Sequence, residues 1–164
     1  MSDKIHHVLF ICTHNSARSI LAEGLLNSLG RGLFKAWSAG SQPTGAVHPL
    51  ALQTLQRLRI PTEDLRSKDW AEFARAGAPA MGFVFTVCDN AAGEVCPVWP
   101  GQPVTAHWGV ADPSTVQGTD TEKAQAFWDT AVVLKRRIEL MLALPLASLD
   151  RLAIQREVRG IGSR

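Results

Sequence analysis

The junction at residues 8–19 constrains this chain more than any other feature. Val8-Leu9-Phe10-Ile11 is a short continuous apolar run, the pattern of a strand buried on both faces. The polar loop Cys12-Thr13-His14-Asn15-Ser16-Ala17-Arg18 follows at once. Residues 19–29 then read as a helix whose Ile20, Leu21, Leu25 and Leu26 form one apolar stripe. Gly30 and Gly32 end it. A strand buried on both faces belongs in a parallel sheet, and the carboxyl ends of parallel strands share the edge where ligands bind.

The rest of the chain repeats the alternation. Residues 36–39 read as a second strand stopped by Gly40, and 49–58 as a helix with Pro49 in its first turn. A shorter helix is expected over 68–75, carrying Trp70 and Phe73. The β-branched and aromatic run 83–87 is the best strand after the first. A long loop over 88–103 leads to a last strand at 104–108 and a long helix at 122–144. Pro145 breaks that helix, and 146–159 add one more. The pattern predicts an α/β fold with a parallel, doubly wound sheet and right-handed crossovers. At 164 residues the chain suits one compact domain. Its body is expected at 1–145, with 146–164 as a helical extension or tail.

Composition narrows the function. A net charge of +2 with scattered basic residues argues against nucleic acid. No run approaches the ~20 apolar residues of a membrane span. The run at residues 8–12 is far too short for a signal-peptide core, so a cytoplasmic protein is expected. Three cysteines, in a reducing compartment, are catalytic, redox-active or inert rather than structurally paired. His6, His7, His14 and His48 lack ligand spacing, so no metal is expected. The tryptophans read as core.

Cys12 and Arg18 flank a five-residue loop between a buried strand and a helix. Successive backbone N–H groups of such a loop converge on one point, and the helix N-terminus adds positive potential. Residues Thr13, His14, Asn15, Ser16, Ala17, Arg18 and Ser19 therefore form the candidate oxyanion cradle, with the planar Arg18 fork clamping two oxygens. The same field is expected to lower the Cys12 pKa below ~8.5 and favour its thiolate. Ser19 either donates a hydrogen bond to that thiolate or caps the helix. The competing reading is a buried strand-end cysteine beside a solvated arginine. Cys88 directly follows the strand at 83–87 and so shares the edge with Cys12. Cys96 lies eight residues further on, across a segment containing Gly93 that can span roughly 28 Å when extended. An Asp before a Pro, as in Asp112-Pro113, is held extended.

Several of these motifs in combination resemble the arsenate reductases that share the fold of low-molecular-weight protein tyrosine phosphatases. They are Cys12-Thr13-His14-Asn15-Ser16-Ala17-Arg18-Ser19, Trp37-Ser38-Ala39-Gly40, Cys88 and Cys96, and His107-Trp108-Gly109 leading to Asp112-Pro113. The resemblance spans residues 5–142. It implies a four-stranded parallel sheet flanked by helices and a catalytic set of Cys12, Arg18, Asp112, Cys88 and Cys96. In that set Cys12 attacks arsenate, Asp112 is the general acid, and Cys88 and Cys96 are the first and second resolving thiols. Two electrons must leave the protein's thiols, which one cysteine cannot supply alone. The alternative is that Cys88 is a packed core residue and Cys96 incidental.

No bound cofactor is implied. Electrons come from an external thiol, with thioredoxin favoured and glutathione with glutaredoxin as the alternative, and the protein is expected to be a monomer. A tyrosine phosphatase would use Cys12, Arg18 and Asp112 identically. Such enzymes resemble one another in aromatic residues after the Asp-Pro, whereas Ser114-Thr115-Val116 follow here and the chain has no Tyr. A non-enzymatic anion-binding module is the second rival. The chain departs from similar reductases at Arg66-Ser67-Lys68, where those members place Thr, Ser and Asp and use them with Asn15 and Ser38 to hold potassium. The expectation is that the Lys68 ammonium replaces the ion. The alternative is a solvated lysine at a helix start.

Overall fold

The computed structural model describes residues 4–87 and 102–164. Strands β1 (His6–Cys12), β2 (Phe34–Gly40), β3 (Phe83–Thr86) and β4 (Val104–His107) form one sheet in the order β2-β1-β3-β4. Every neighbouring pair is parallel, with Cys12 level with Gly40 and Ile11 level with Thr86. Val8 to Ile11 are wholly buried, as a central strand with covered faces requires.

The helices are α1 (Arg18–Leu29), α2 (Pro49–Arg57), α3 (Ala71–Ala74), α4 (Asp120–Leu142) and α5 (Arg151–Ile161). A reciprocal capping box between Thr119 and Glu122 starts α4. The Asp150 side chain accepts from the Ala153 N–H to start α5. Helix α4 packs on α1 and α2, and α5 packs on β4. Trp108 is wholly buried, stacked on Phe85 at a centroid distance of 4.2 Å. Its indole N–H donates to the Val158 carbonyl of α5.

Three elements differ from expectation, the first being the helix expected over 146–159, which begins only at Arg151, capped by Asp150, after a short turn at Leu146–Ser148. Strand β2 begins at Phe34 because its start pairs with His6, while Asn27 of α1 bonds both backbone groups of Ala36. The helix expected over 68–75 is reduced to Ala71–Ala74. Its first residues lie alongside the end of β2 instead, where Gly40 N–H donates to the Lys68 carbonyl and Trp70 N–H donates to the Gly40 carbonyl. Backbone groups committed to a strand end are not available to a helix.

Candidate functional site

The chain leaves β1 for β2 on one side and returns to β3 on the other. The order therefore reverses at β1, and a crevice forms outside the carboxyl ends of β1 and β3. Cys12 is the last residue of β1 there, 2% exposed. Arg18 opens α1, and residues 13–17 are the loop between them.

Tied carbonyls set the loop's shape. Thr13 O accepts from Gln42 N–H at 2.8 Å, His14 O from Thr44 N–H at 3.1 Å, and Ser16 O from His48 N–H at 2.9 Å. Ser67 Oγ also donates to His14 O. In a trans peptide the N–H points opposite to the C=O. The N–H groups of His14, Asn15 and Ala17 are thereby aimed away from these outer partners, as an anion cradle needs. Asn15 adopts φ 48°, a conformation Asn tolerates better than most residues. Gly40 has no substitute here, because a Cβ would lie 2.6 Å from Thr13 O and 2.9 Å from Cys12 O. Thr13 and Ala17 are buried, Ser16 is partly so, and the His14 side chain is exposed.

Ser19 Oγ lies 3.0 Å from Cys12 Sγ. Helix α1 has Ala17 at its N-cap with no side-chain cap. Of the two roles open to Ser19, the geometry selects the contact with the thiol. Arg18 is buried. Its Nη1 donates to Val110 O at 3.2 Å and its Nη2 lies 3.4 Å from Asp112 Oδ2. Its Nε has no partner; among the described residues the buried side-chain polar atoms in that position are Arg18 Nε and Ser41 Oγ. A buried guanidinium N–H left open beside an uncapped helix N-terminus fits an oxyanion oxygen.

Asp112 is held by the turn that follows it. Oδ1 accepts from Ser114 N–H at 2.9 Å and from Ser114 Oγ at 2.6 Å. Burial pushes the carboxyl up, but the Ser114 hydrogen bonds, then Arg18 and His14, outweigh it and hold the group below its ordinary value.

Behind the loop lies a buried polar network. Asn15 Nδ2 donates to Ser19 Oγ at 2.8 Å and to Ser38 Oγ at 3.0 Å, while Asn15 Oδ1 accepts from Lys68 N–H. Ser38 Oγ donates to Glu23 Oε1 at 2.5 Å. Lys68 Nζ donates to Arg66 O at 2.8 Å and to Ser38 Oγ at 3.5 Å, and stands 3.8 Å from Glu23 Oε1. Lys68 is thus buried among oxygens, and the solvated-lysine alternative is set aside. Burial pushes the Glu23 carboxyl up against the pull of Lys68 and Ser38. Burial pushes the Lys68 ammonium down against the pull of Glu23.

The structure brings Cys12, Arg18, Ser19 and Asp112 together; Cys88 and Cys96 lie outside the described residues. Val87, just before Cys88, is fixed to β1 by its N–H on Ile11 O. Glu23 was missed, although a lone glutamate among Ile20, Leu21, Leu25 and Leu26 was a visible signal. Ser114, which holds the Asp112 carboxylate, was missed as well, and nothing in its spacing marks it. Among the described residues no His, Cys, Asp and Glu cluster of three or more could hold a metal ion. No helix there is long and apolar enough to cross a membrane.

Residues 7–153 match the family described as low molecular weight phosphotyrosine protein phosphatase. The chain is 32% identical over 132 residues to a protein named arsenate reductase from Halalkalibacterium halodurans, covering 80% of this chain and 91% of that one. A solved arsenate reductase in the phosphate binding state is similar at TM-score 0.65 and 26% identity, over 85% of this chain and 98% of that chain. A thioredoxin-dependent arsenate reductase from Corynebacterium glutamicum is similar at TM-score 0.56 and 26% identity; the match covers 85% of this chain and 65% of that longer one.

Proposed function

The chain belongs to the low molecular weight phosphotyrosine protein phosphatase family, and on that premise we propose that it is a cytoplasmic arsenate reductase serving arsenic detoxification. Residues 1–145 are the reductase domain and 146–164 a helical extension of it. The observation that carries the reading is the open Nε of buried Arg18 beside a loop whose Thr13, His14 and Ser16 carbonyls are tied to outer partners. Relatives named arsenate reductase support the substrate.

Arsenate binds the 13–19 cradle, and the Cys12 thiolate attacks arsenic. The sulfur–arsenic bond forms as an arsenic–oxygen bond breaks, and Asp112 protonates the oxygen, which leaves as water. Asp112 is a carboxylate at rest. A bound dianion takes up the Arg18 charge and adds its own beside Asp112, which raises the carboxyl and keeps the proton there until it is needed. The Cys88 thiolate then attacks the Cys12 sulfur. A disulfide forms, the sulfur–arsenic bond breaks with its electron pair on arsenic, and arsenite leaves. The Cys96 thiolate attacks Cys88, which frees Cys12 and leaves a Cys88–Cys96 disulfide. Thioredoxin, named for one solved relative, reduces that disulfide. No bound cofactor takes part, and the working unit is the monomer.

The test is arsenate turnover with purified thioredoxin and thioredoxin reductase, and separately with glutathione and glutaredoxin, on wild type and each Cys→Ser variant. Cys12→Ser should abolish turnover with both. Cys96→Ser should fail with thioredoxin; free turnover of that variant with glutaredoxin alone would make the external thiol the resolving group.

A further inference from the structure

Arg137 is a buried cation on α4 whose hydrogen bonds all go to main-chain oxygens. Its Nη1 donates to Trp108 O at 2.8 Å and to Gly109 O at 3.2 Å, and its Nε donates to the main-chain oxygen of Arg164 at 3.1 Å. Burying a guanidinium is costly, and hydrogen bonds to carbonyls offset only part of that cost. The carbonyls it binds begin the segment that carries the acid. Val110, the next residue, gives its carbonyl to Arg18, and Asp112 follows two residues later.

The same segment is gripped from two other sides. Trp108 N–H donates to Thr86 O and Val110 N–H to Val87 O, at the carboxyl end of β3. Trp108 Nε1 donates to Val158 O. The turn after α5 presses so closely that a Cβ on Gly162 would collide with the His107 carbonyl and lie 3.1 Å from Trp108 Cδ1. Arg137 closes this clamp by bonding the residues after β4 and the residues after α5 at once.

We propose that Arg137 is a positioning residue for the acid: together with the segment Arg151–Arg164 it fixes the Trp108–Val110 backbone and so sets where Asp112 stands relative to Arg18 and the cradle. The cradle loop is held by its own ties to Gln42, Thr44, His48 and Ser67, and the clamp meets it only through the bond from Arg18 Nη1 to Val110 O. Replacing Arg137 should therefore slow the bond-breaking step and leave anion binding intact. Misplacing a catalytic group by about 1 Å costs roughly 10²-fold.

The proposal rests on the acid role of Asp112, and the experiment separates the two. Single-turnover arsenite release is followed on the reduced full chain across arsenate concentrations, for D112N, R137M, R137K and D112N/R137M. R137M should lower the maximal rate by about 10- to 100-fold at unchanged half-saturation. R137K should fall between, since an ammonium still reaches carbonyls but lacks the fork. The double variant should be no slower than D112N, because both act on one step. If D112N keeps the wild-type rate, the acid assignment falls and this proposal with it. If D112N is slow but R137M is not, or if R137M slows D112N by its full factor, Arg137 is structural only. Should R137M fail to fold, G162A takes its place. A lower maximal rate at unchanged half-saturation supports the clamp, and an unchanged rate with a lower Tm overturns it.

Discussion

Arg18 spreads three positions over one planar group: Nη1 holds Val110 O, Nη2 faces Asp112, and Nε has no protein partner and is the proposed contact for the oxyanion. A lysine offers a point charge with no fork, so Arg18→Lys should lose nearly all arsenate reduction while the fold survives by circular dichroism. Near-normal turnover would mean the oxyanion binds elsewhere. Asp112→Asn should slow the chemical step by roughly 10²–10⁴-fold, the usual worth of a positioned acid. In wild type the single-turnover rate should fall as pH rises through the carboxyl's value in the arsenate complex. In D112N that limb should flatten; if it persists, another group titrates there. The same carboxyl bears on stability. Its folded value lies below the unfolded one, so it stabilises the fold above the ordinary value, about 3.9, and that contribution is lost as pH falls through the folded value. A plot of Tm against pH should show the gap between wild type and D112N closing on the acid side.

Among the elements, β1, the loop and the start of α1 were legible from sequence because a strand covered on both faces must be a continuous apolar run, and the abrupt switch to polar residues marks its end. The buried charges were not. Helical periodicity places a charge on the solvent face by default, and the partners that bury Glu23 and Lys68 lie far apart in the chain. Lys68 reaches Ser38 and Glu23 because it and Asp69 lie beside Gly40 rather than in the helix expected from 68 onward. The arrangement has a measurable signature. Lys68→Met leaves the Glu23 carboxylate buried without its cation, and removing one partner of such a pair costs about 3–5 kcal/mol. Urea unfolding should show most of that loss recovered in Glu23→Gln/Lys68→Met, where no lone charge remains. Equal stability of the single and double variants would mean the pair is not coupled. With an ammonium already among these oxygens, wild-type turnover should be the same in potassium and sodium buffers; stimulation by potassium would show that Lys68 has not taken the ion's place.

For the whole molecule, the parallel order β2-β1-β3-β4 puts the ends of β1 and β3 side by side, and the proposed relay depends on that adjacency. Ile11 O accepts from Val87 N–H at 2.9 Å, and Cys12 and Cys88 are the next residues in sequence after each. A disulfide needs Cα atoms within roughly 4.4–6.8 Å, and neighbouring parallel strands stand about 4.8 Å apart. In the proposed relay Cys88 then exchanges Cys12 for Cys96, eight residues further along the chain. This order of events makes the two resolving thiols separable. Both Cys88→Ser and Cys96→Ser should still bind arsenate and form the first adduct on Cys12, because neither residue belongs to the cradle. Cys88→Ser should stop there and release no arsenite above background with thioredoxin. Cys96→Ser should release about one arsenite per enzyme, limited by its single set of donor thiols, and then accumulate a Cys12–Cys88 disulfide. Mass spectrometry of acid-quenched, alkylated protein distinguishes these species by which cysteines resist the label. A Cys96→Ser protein that cycles freely with thioredoxin would show that the exchange ends at Cys88, and the three-thiol relay would be wrong.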